Sequence, residues 1–462
     1  MKAHRKLLAA LLVAFTLTAQ TSLHEAAINA KVAGAWKKSG APSVSVAVVE
    51  DGKLSFAKAF GMADAAASRA ADSGTRYSIG SISKQFTAAA LLLLQEQGRL
   101  SLDDRVSKYF PDLTRASEIS LRQLLSHTSG YEDYAPQDYL IPEWKQDTTP
   151  QAILNQWAKK PLDFDPGTKW EYSNTNFVLA AAIFEKVSGR SLMEFLRERI
   201  FEPLSMQSAA DCLPVRLADP LPYTRYALGP ARPVAREGAN WYSGAAGLCM
   251  NPSDLARWDI AFLEHRILSP RSYDEFTHEV RLANGDSTHY ALGLDIGELN
   301  NTPMVSHTGE TSGFLSANYV FPTRNAAVVV LSNEDGIRLV TSLARDVAAS
   351  IIHPSESAPA ASKDRDVPKV RAILEDLQRG RIDRSLFTAN ANAYFSDQAL
   401  EDFKNSLSAL GRLRSVTRTS EESRGGMTHR GYRAQFSKKT LSLNIYVTPD
   451  GKYEQFMAEE QI

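Results

Sequence analysis

Between residues 86 and 94 the chain is apolar at every position except Thr87, and the stretch leading in, Tyr77-Ser78-Ile79-Gly80-Ser81-Ile82-Ser83-Lys84-Gln85, is far more polar. That pattern predicts a helix buried on all sides, too short to cross a membrane, with Gly98 standing where it stops. Hydrophobic periodicity lays out the rest. A helix is expected over 26–36. The β-rich run 43–49, the Asp51-Gly52 turn and the segment 53–60 read as a hairpin. Residues 119–125 make a short amphipathic helix ending in the polar Ser126-His127-Thr128-Ser129-Gly130. The long loop 131–150 carries Tyr131, Tyr134, Tyr139 and Trp144; it either walls a cleft or packs down on its own aromatics. Helices follow over 177–187 and 192–200, and another starts at Asn251-Pro252-Ser253, capped by Asn251 or Ser253. Strands are expected over 304–307, 317–321 and 326–331. In the helix expected over 336–352, Val340, Leu343, Val347 and Ile351 form one apolar stripe.

Strands thus lie at both ends of this region with helices between them, which implies one α/β domain whose sheet joins its N- and C-terminal segments. Residues 354–366 are rich in Pro, Ser, Ala and charge and read as a linker. Beyond them, 367–462 reads as a small α+β accessory domain, with helices over 370–378 and 398–410 and strands over 432–436, 441–447 and 453–457.

Length and charge change this picture little. At 462 residues the chain exceeds one ordinary domain. Lys plus Arg number 52 against 53 for Asp plus Glu, so no nucleic acid or anionic membrane is expected as a partner. The N-terminus matters more. Lys2, Arg5 and Lys6 precede an apolar run from Leu7 to Leu17, the pattern of a secretory leader over 1–20, cut near Ala19 or Gln20. The main domain is then 21–353, periplasmic or secreted, with no stable membrane span. In that compartment Cys212 and Cys249 could pair, or equally be two buried thiols.

The candidate chemistry starts at the head of the buried helix. Ser81 and Lys84, three apart, share a helix face beside free backbone N–H groups, an arrangement that suits a serine nucleophile activated by a lysine. Ser55 and Lys58 have the same spacing, but in a strand they point to opposite faces. A lysine acts as base only if burial or nearby positive charge removes its proton. Tyr172 and Asn174, after the Asp165-Pro166-Gly167 turn, could face that lysine together. His307-Thr308-Gly309 lies on an expected strand where a backbone can approach a ligand. Taken singly, Tyr-x-Asn is a common loop pattern and His307 an ordinary strand histidine. There is no Gly-x-Ser-x-Gly elbow, no His-Glu-x-x-His and no glycine-rich phosphate loop, so neither metal nor cofactor is expected.

Together, Ser81-Ile82-Ser83-Lys84, Tyr172-Ser173-Asn174 and His307-Thr308-Gly309 resemble the three motifs of the penicillin-recognising serine hydrolases, nearest to the group of class C β-lactamases, DD-carboxypeptidases and esterases. Gln123 to Gly130, Phe164 to Gly167, Ile200 to Leu204 and Gly244 to Leu248 resemble further signatures, so the likeness covers about 25–352. It implies a β-lactamase/transpeptidase-like domain with an antiparallel sheet flanked by helices plus an all-helical lobe. It implies an acyl-enzyme on Ser81, with Lys84 and Tyr172 moving the proton and Asn174 holding the substrate amide. His307, Thr308 and Gly309 would line the substrate site, with His307 beside Tyr172, and the backbone N–H groups of Ser81 and Glu310 would form an oxyanion hole. Expected substrates are D-amino-acid peptides or small esters, with β-lactams as a further class; a non-turnover penicillin-binding sensor of the same fold is the alternative. Two departures stand out. His307 replaces the lysine of class C β-lactamases and lacks its permanent cation. Glu310 replaces a common glycine; its carboxylate repels anions if it leans into the cleft and is neutral to function if it points away. A chain ending near Pro354 is expected to stay folded and acylatable.

Overall fold

In a computed structural model, the structure describes residues 24–213, 219–352 and 366–460; the expected leader, and the expected linker up to 365, lie outside the described residues. The main sheet is built from β1 (Ser43–Glu50), β2 (Lys53–Asp64), β3 (Arg69–Ala70), β4 (Asp295–Leu299), β5 (Thr302–Thr311), β6 (Phe314–Phe321) and β7 (Ala326–Ser332). All pairs are antiparallel, in the order β3-β2-β1-β7-β6-β5-β4. The N-terminal strand β1 is therefore zipped to β7 near the other end of the domain, Val46 opposite Val330.

The central strands have unbroken apolar runs because both their faces are covered. Alternation sends Val44, Val46, Val48, Val328 and Val330 to one face, beneath the helix over 24–39 and the Leu339–Ile351 helix. It sends Ala47, Val49, Val329 and Leu331 to the other, beneath a helical lobe. At the centre of that lobe the Ser83–Glu96 helix buries every residue from Ser83 to Leu94. Burial of each large side chain such as Phe86 or Leu91 contributes about 1.5–3 kcal/mol. The polar residues embedded in it are satisfied: besides Lys84, Ser83 Oγ accepts from the Leu248 N–H at 3.1 Å, Thr87 Oγ1 donates to the Gly244 carbonyl at 2.7 Å, and Gln85 links Trp258 Nε1 at 2.9 Å to Asn318 Oδ1 at 3.1 Å. The helix gives way at Gln97, and Gly98 adopts φ +68°. Asn251, one of the two expected caps, accepts from the Asp254 N–H at 2.8 Å.

Cys212 and Cys249 are bonded, with Cα atoms 5.0 Å apart. The bridge joins the Ala210–Asp211 strand to the Leu248–Met250 strand, which also pairs with Tyr77–Ser78 just ahead of Ser81. No helix among the described residues is long and apolar enough to cross a membrane.

Residues 366–460 form a four-stranded antiparallel meander, β8 (Leu413–Arg424), β9 (Met427–Phe436), β10 (Thr440–Val447) and β11 (Tyr453–Glu460), packed on the helices Val367–Leu377, Ala389–Tyr394 and Asp397–Ser408. Leu374, Phe395, Phe403, Leu443 and Phe456 are at its core. This unit sits against the helical lobe. Asn444 Nδ2 and Gln455 Nε2 both donate to Asp138 Oδ2, at 2.6 and 2.9 Å, and Tyr139 Oη donates to the Glu454 carbonyl at 2.7 Å.

Candidate active site

Ser81 lies in a 3₁₀ turn, Gly80–Ile82, that runs directly into the Ser83–Glu96 helix. In such a turn residues three apart eclipse, which aligns Ser81 with Lys84. Lys84 is completely buried; its Nζ is 2.9 Å from Ser81 Oγ, 2.7 Å from Asn174 Oδ1 and 3.0 Å from the Ala245 carbonyl. Burial holds its pKa well below the ordinary lysine value; Arg424 adds to the depression and Asp133 opposes it. A neutral amine has two protons and one lone pair. Asn174 Oδ1 and the Ala245 carbonyl can only accept, so they take the protons and leave the lone pair facing the Ser81 hydroxyl, the geometry of a general base.

Tyr172 flanks this pair. Its ring lies 4.9 Å from Lys84 Nζ, and burial pushes its pKa up, against the opposing pull of Ser81 and Arg424. Behind it the His127 ring sits 4.2 Å away, centroid to centroid. His127 Nδ1 accepts from the Ser173 N–H at 3.2 Å, which fixes the chain between Tyr172 and Asn174. Asn174 opens the Asn174–Ser188 helix. Its Nδ2 donates to Asp133 Oδ1 at 3.1 Å and to the Ala135 carbonyl at 3.3 Å, and its backbone N–H to Asp133 Oδ1 at 2.9 Å. Both ends of the Asn174 amide are therefore occupied within the protein, one of them by Lys84.

Strand β5 forms the opposite wall and bears His307, Thr308, Gly309 and Glu310. It approaches the nucleophile so closely that two glycines are required. A Cβ on Gly309 would lie 2.0 Å from the Ile79 carbonyl oxygen; one on Gly80, at φ +49°, would lie 2.5 Å from the Glu310 nitrogen. This interlock brings the Glu310 N–H against Gly80, the residue before Ser81. His307 accepts from Tyr290 Oη at Nε2, 2.9 Å, and donates from Nδ1 to the Thr308 carbonyl at 2.5 Å. With both nitrogens engaged, it meets Tyr172 only ring to ring, at 6.2 Å. Burial, reinforced by Lys84, lowers its pKa to about 3, so it is neutral at physiological pH. Alternation along β5 puts the Glu310 side chain on the face of its partner Leu315, opposite Gly309 and Ser316, which meet the Ile79 carbonyl; burial and the nearby Asp138, Asp335 and Glu459 push its carboxyl well above the usual range.

The cleft encloses about 820 Å³ and is lined by Ser81, Tyr172, Asn174 and the β5 residues, with Tyr134, Tyr139 and Trp144 of the aromatic loop on its rim. That loop both packs down and walls the cleft, since Tyr134 and Trp144 are also buried. Ser55 and Lys58 stand apart: Ser55 Oγ donates to Glu50 and Lys58 pairs with Glu25. Asp133, Tyr290 and Arg424 belong to the site and are invisible to motif reading. For Arg424 one signal exists, the two-residue Gly425-Gly426 turn that follows it.

A buried lysine aimed at a serine, at the junction of a helical lobe and an antiparallel sheet, defines a serine hydrolase of the penicillin-recognising class. The chain belongs to the β-lactamase family, whose family model matches residues 28–350. It is 29% identical to penicillin-binding protein 4* of Bacillus subtilis over 63% of this chain and 68% of that protein. It is 30% identical to the D-aminopeptidase of Brucella anthropi over 64% of this chain, and the match spans only 56% of that relative's length. The fold of the octameric penicillin-binding protein homologue from Pyrococcus abyssi matches 94% of this chain and 99% of its own, with a TM-score of 0.64 at 19% identity. That likeness in fold extends across the C-terminal unit.

Proposed function

We propose that the protein is a secreted acyl-transferring hydrolase that cleaves amide bonds of small D-amino-acid peptides and amides, and small esters, through an acyl-enzyme on Ser81. The observation that carries this reading is the Lys84 amine, buried, with two acceptors for its protons and its lone pair on Ser81 Oγ. Ser81 Oγ attacks the carbonyl carbon as its proton passes to Lys84. The oxyanion develops between the N–H groups of Ser81 and Glu310, each contributing about 3 kcal/mol to the transition state. Tyr172, kept protonated by burial, gives its proton to the leaving nitrogen or oxygen and takes up the one held by Lys84. Water then attacks the ester and Ser81 is released. The relative named a D-aminopeptidase supports D-configured amide substrates.

The β5 wall argues against carboxylate-bearing β-lactams as preferred substrates. A neutral His307 offers no cation to a substrate carboxylate. Thr308, exposed on the cleft edge, remains to hydrogen-bond the substrate. The Cys212–Cys249 bond supports an oxidising compartment.

The test compares wild type, Ser81→Ala and Lys84→Met on a D-alanine p-nitroanilide, a p-nitrophenyl ester and a chromogenic cephalosporin. Turnover of the first two, abolished in Ser81→Ala and reduced about a thousandfold or more in Lys84→Met, is expected. Single stoichiometric acylation without turnover would favour the sensor reading instead, and wild-type rates in Ser81→Ala would end the proposal.

A further inference from the structure

The β8–β9 hairpin of the C-terminal unit reaches the catalytic centre. Its turn, Gly425-Gly426, has positive φ at both positions, +58° and +68°, as a tight two-residue hairpin turn requires. A Cβ on Gly425 would lie 2.8 Å from the Pro136 side chain, and the Gly426 N–H donates to Glu171 Oε1 at 3.3 Å, so the tip is seated on the helical lobe. The residue before the turn, Arg424, points inward. Its Nε donates to Asp133 Oδ2 at 3.0 Å, one Nη to the Ala135 carbonyl at 3.2 Å, and its guanidinium carbon lies 4.9 Å from the Tyr172 ring centroid. Asp133 is fully buried, and its other oxygen holds Asn174, which in turn holds Lys84. An unbroken path of hydrogen bonds therefore runs Arg424, Asp133, Asn174, Lys84, Ser81.

We propose that Arg424, delivered by the C-terminal hairpin, is a positioning residue for the hydrolase: through Asp133 and Asn174 it sets the place and protonation of Lys84. The inference goes beyond the hydrolase reading and rests on it. Its physical content is a charge balance. Asp133 anchors Asn174 in the geometry that orients Lys84, but a lone carboxylate buried there favours the ammonium form of the lysine. Arg424 neutralises that carboxylate at a distance where the ion pair is largely shielded from water, and lets Asp133 act as an anchor without protonating the base. The other groups facing Lys84 do not substitute for it. His307 is neutral, His127 is held neutral by burial, and Tyr172 stays a phenol. The placement also gives the C-terminal unit a function, since the catalytic lobe lacks this cation without it.

The test uses the full-length protein and measures the second-order rate of Ser81 labelling by a fluorophosphonate from pH 4 to 10, a readout independent of substrate identity. Arg424→Gln removes the cation, raises the pKa of Lys84 and moves the acid limb of the profile upward by about one pH unit, with labelling about tenfold slower at pH values on that limb. Arg424→Lys keeps the charge and holds the limb at its wild-type position. Asp133→Asn removes the anion and moves the limb the opposite way. Opposed shifts are a signature that a packing role would not produce. Should Arg424→Gln fail to fold, the other two variants carry the test, since an unmoved limb in Asp133→Asn overturns the proposal alone. Wild-type rate and limb in a folded Arg424→Gln also overturn it. Failure of the wild type to label at any pH would be a different result, one that overturns the hydrolase reading and this inference with it.

Discussion

A buried charge costs several kcal/mol unless something neutralises or shares it, and the cleft resolves that cost residue by residue. Lys84 resolves it with a pKa that burial holds well below the ordinary lysine value, Asp133 by pairing with Arg424, and His307 by staying neutral between Tyr290 and the Thr308 carbonyl. His307 has a thermodynamic consequence. Its folded pKa of about 3 lies below the ordinary histidine value of 6.5, so between those values the unfolded chain binds the extra proton. The stability it contributes is complete above pH 6.5 and is lost as pH falls towards 3. In His307→Gln, which does not titrate, melting temperature therefore declines less steeply than in wild type from pH 6.5 to 4, as measured by calorimetry over a pH series. A parallel decline in the two proteins would mean that His307 is not held neutral. Ser81, Lys84, Tyr172 and Asn174, which the structure brings together, could be picked out because their motifs in that order resemble a known family; singly the spacings are common, as Ser55 and Lys58 show. Asp133 and Arg424 could not, because an ion pair between segments so distant in sequence leaves no spacing to read.

Elements whose pattern is apolar read correctly, and those that work through polar faces did not. The runs 43–49 and 326–331 predict strands because both faces of the sheet are buried, and the 86–94 run predicts the central helix for the same reason. Strand β8 has the sequence Leu-Arg-Ser-Val-Thr-Arg-Thr-Ser-Glu-Glu-Ser-Arg and stays largely exposed beyond Val416, so it has no apolar alternation to detect. Strand β4 was missed likewise: none of its residues is buried. The close contact between β5 and the turn before the central helix carries its own prediction. In Gly309→Ala the added methyl would meet the Ile79 carbonyl oxygen, and either the strand or the turn must shift. The Glu310 N–H then moves away from the forming oxyanion. Turnover is expected to fall about a hundredfold, in kcat more than in KM, with the far-ultraviolet dichroism unchanged. A variant within twofold of wild type would place the oxyanion donors elsewhere.

At the scale of the whole molecule, two apolar cores lie on either side of the main sheet and a third fills the C-terminal unit, to which the first part of the chain adds chiefly the segment around Tyr226, Ala227 and Leu228. Separate cores argue that residues 1–353 fold without the rest. The surface between the two parts argues that they do not act without it, because Asp133, Asp138 and Tyr139 of the lobe find their partners across it. Truncation differs physically from Arg424→Gln in the intact chain. Removing the whole unit opens Asp133 to water, which solvates the carboxylate, whereas removing the guanidinium alone leaves the carboxylate buried and unpaired. A chain ending at residue 353 should therefore be soluble and cooperatively folded. It should lose less stability at the catalytic lobe than Arg424→Gln does, yet have its acid limb displaced upward, with labelling about tenfold slower than wild type at pH values on that limb. Calorimetry and the same fluorophosphonate profile check both halves. A truncated chain that unfolds would make the two units one cooperative fold. One that labels at the wild-type rate would mean the hairpin covers the site without tuning it.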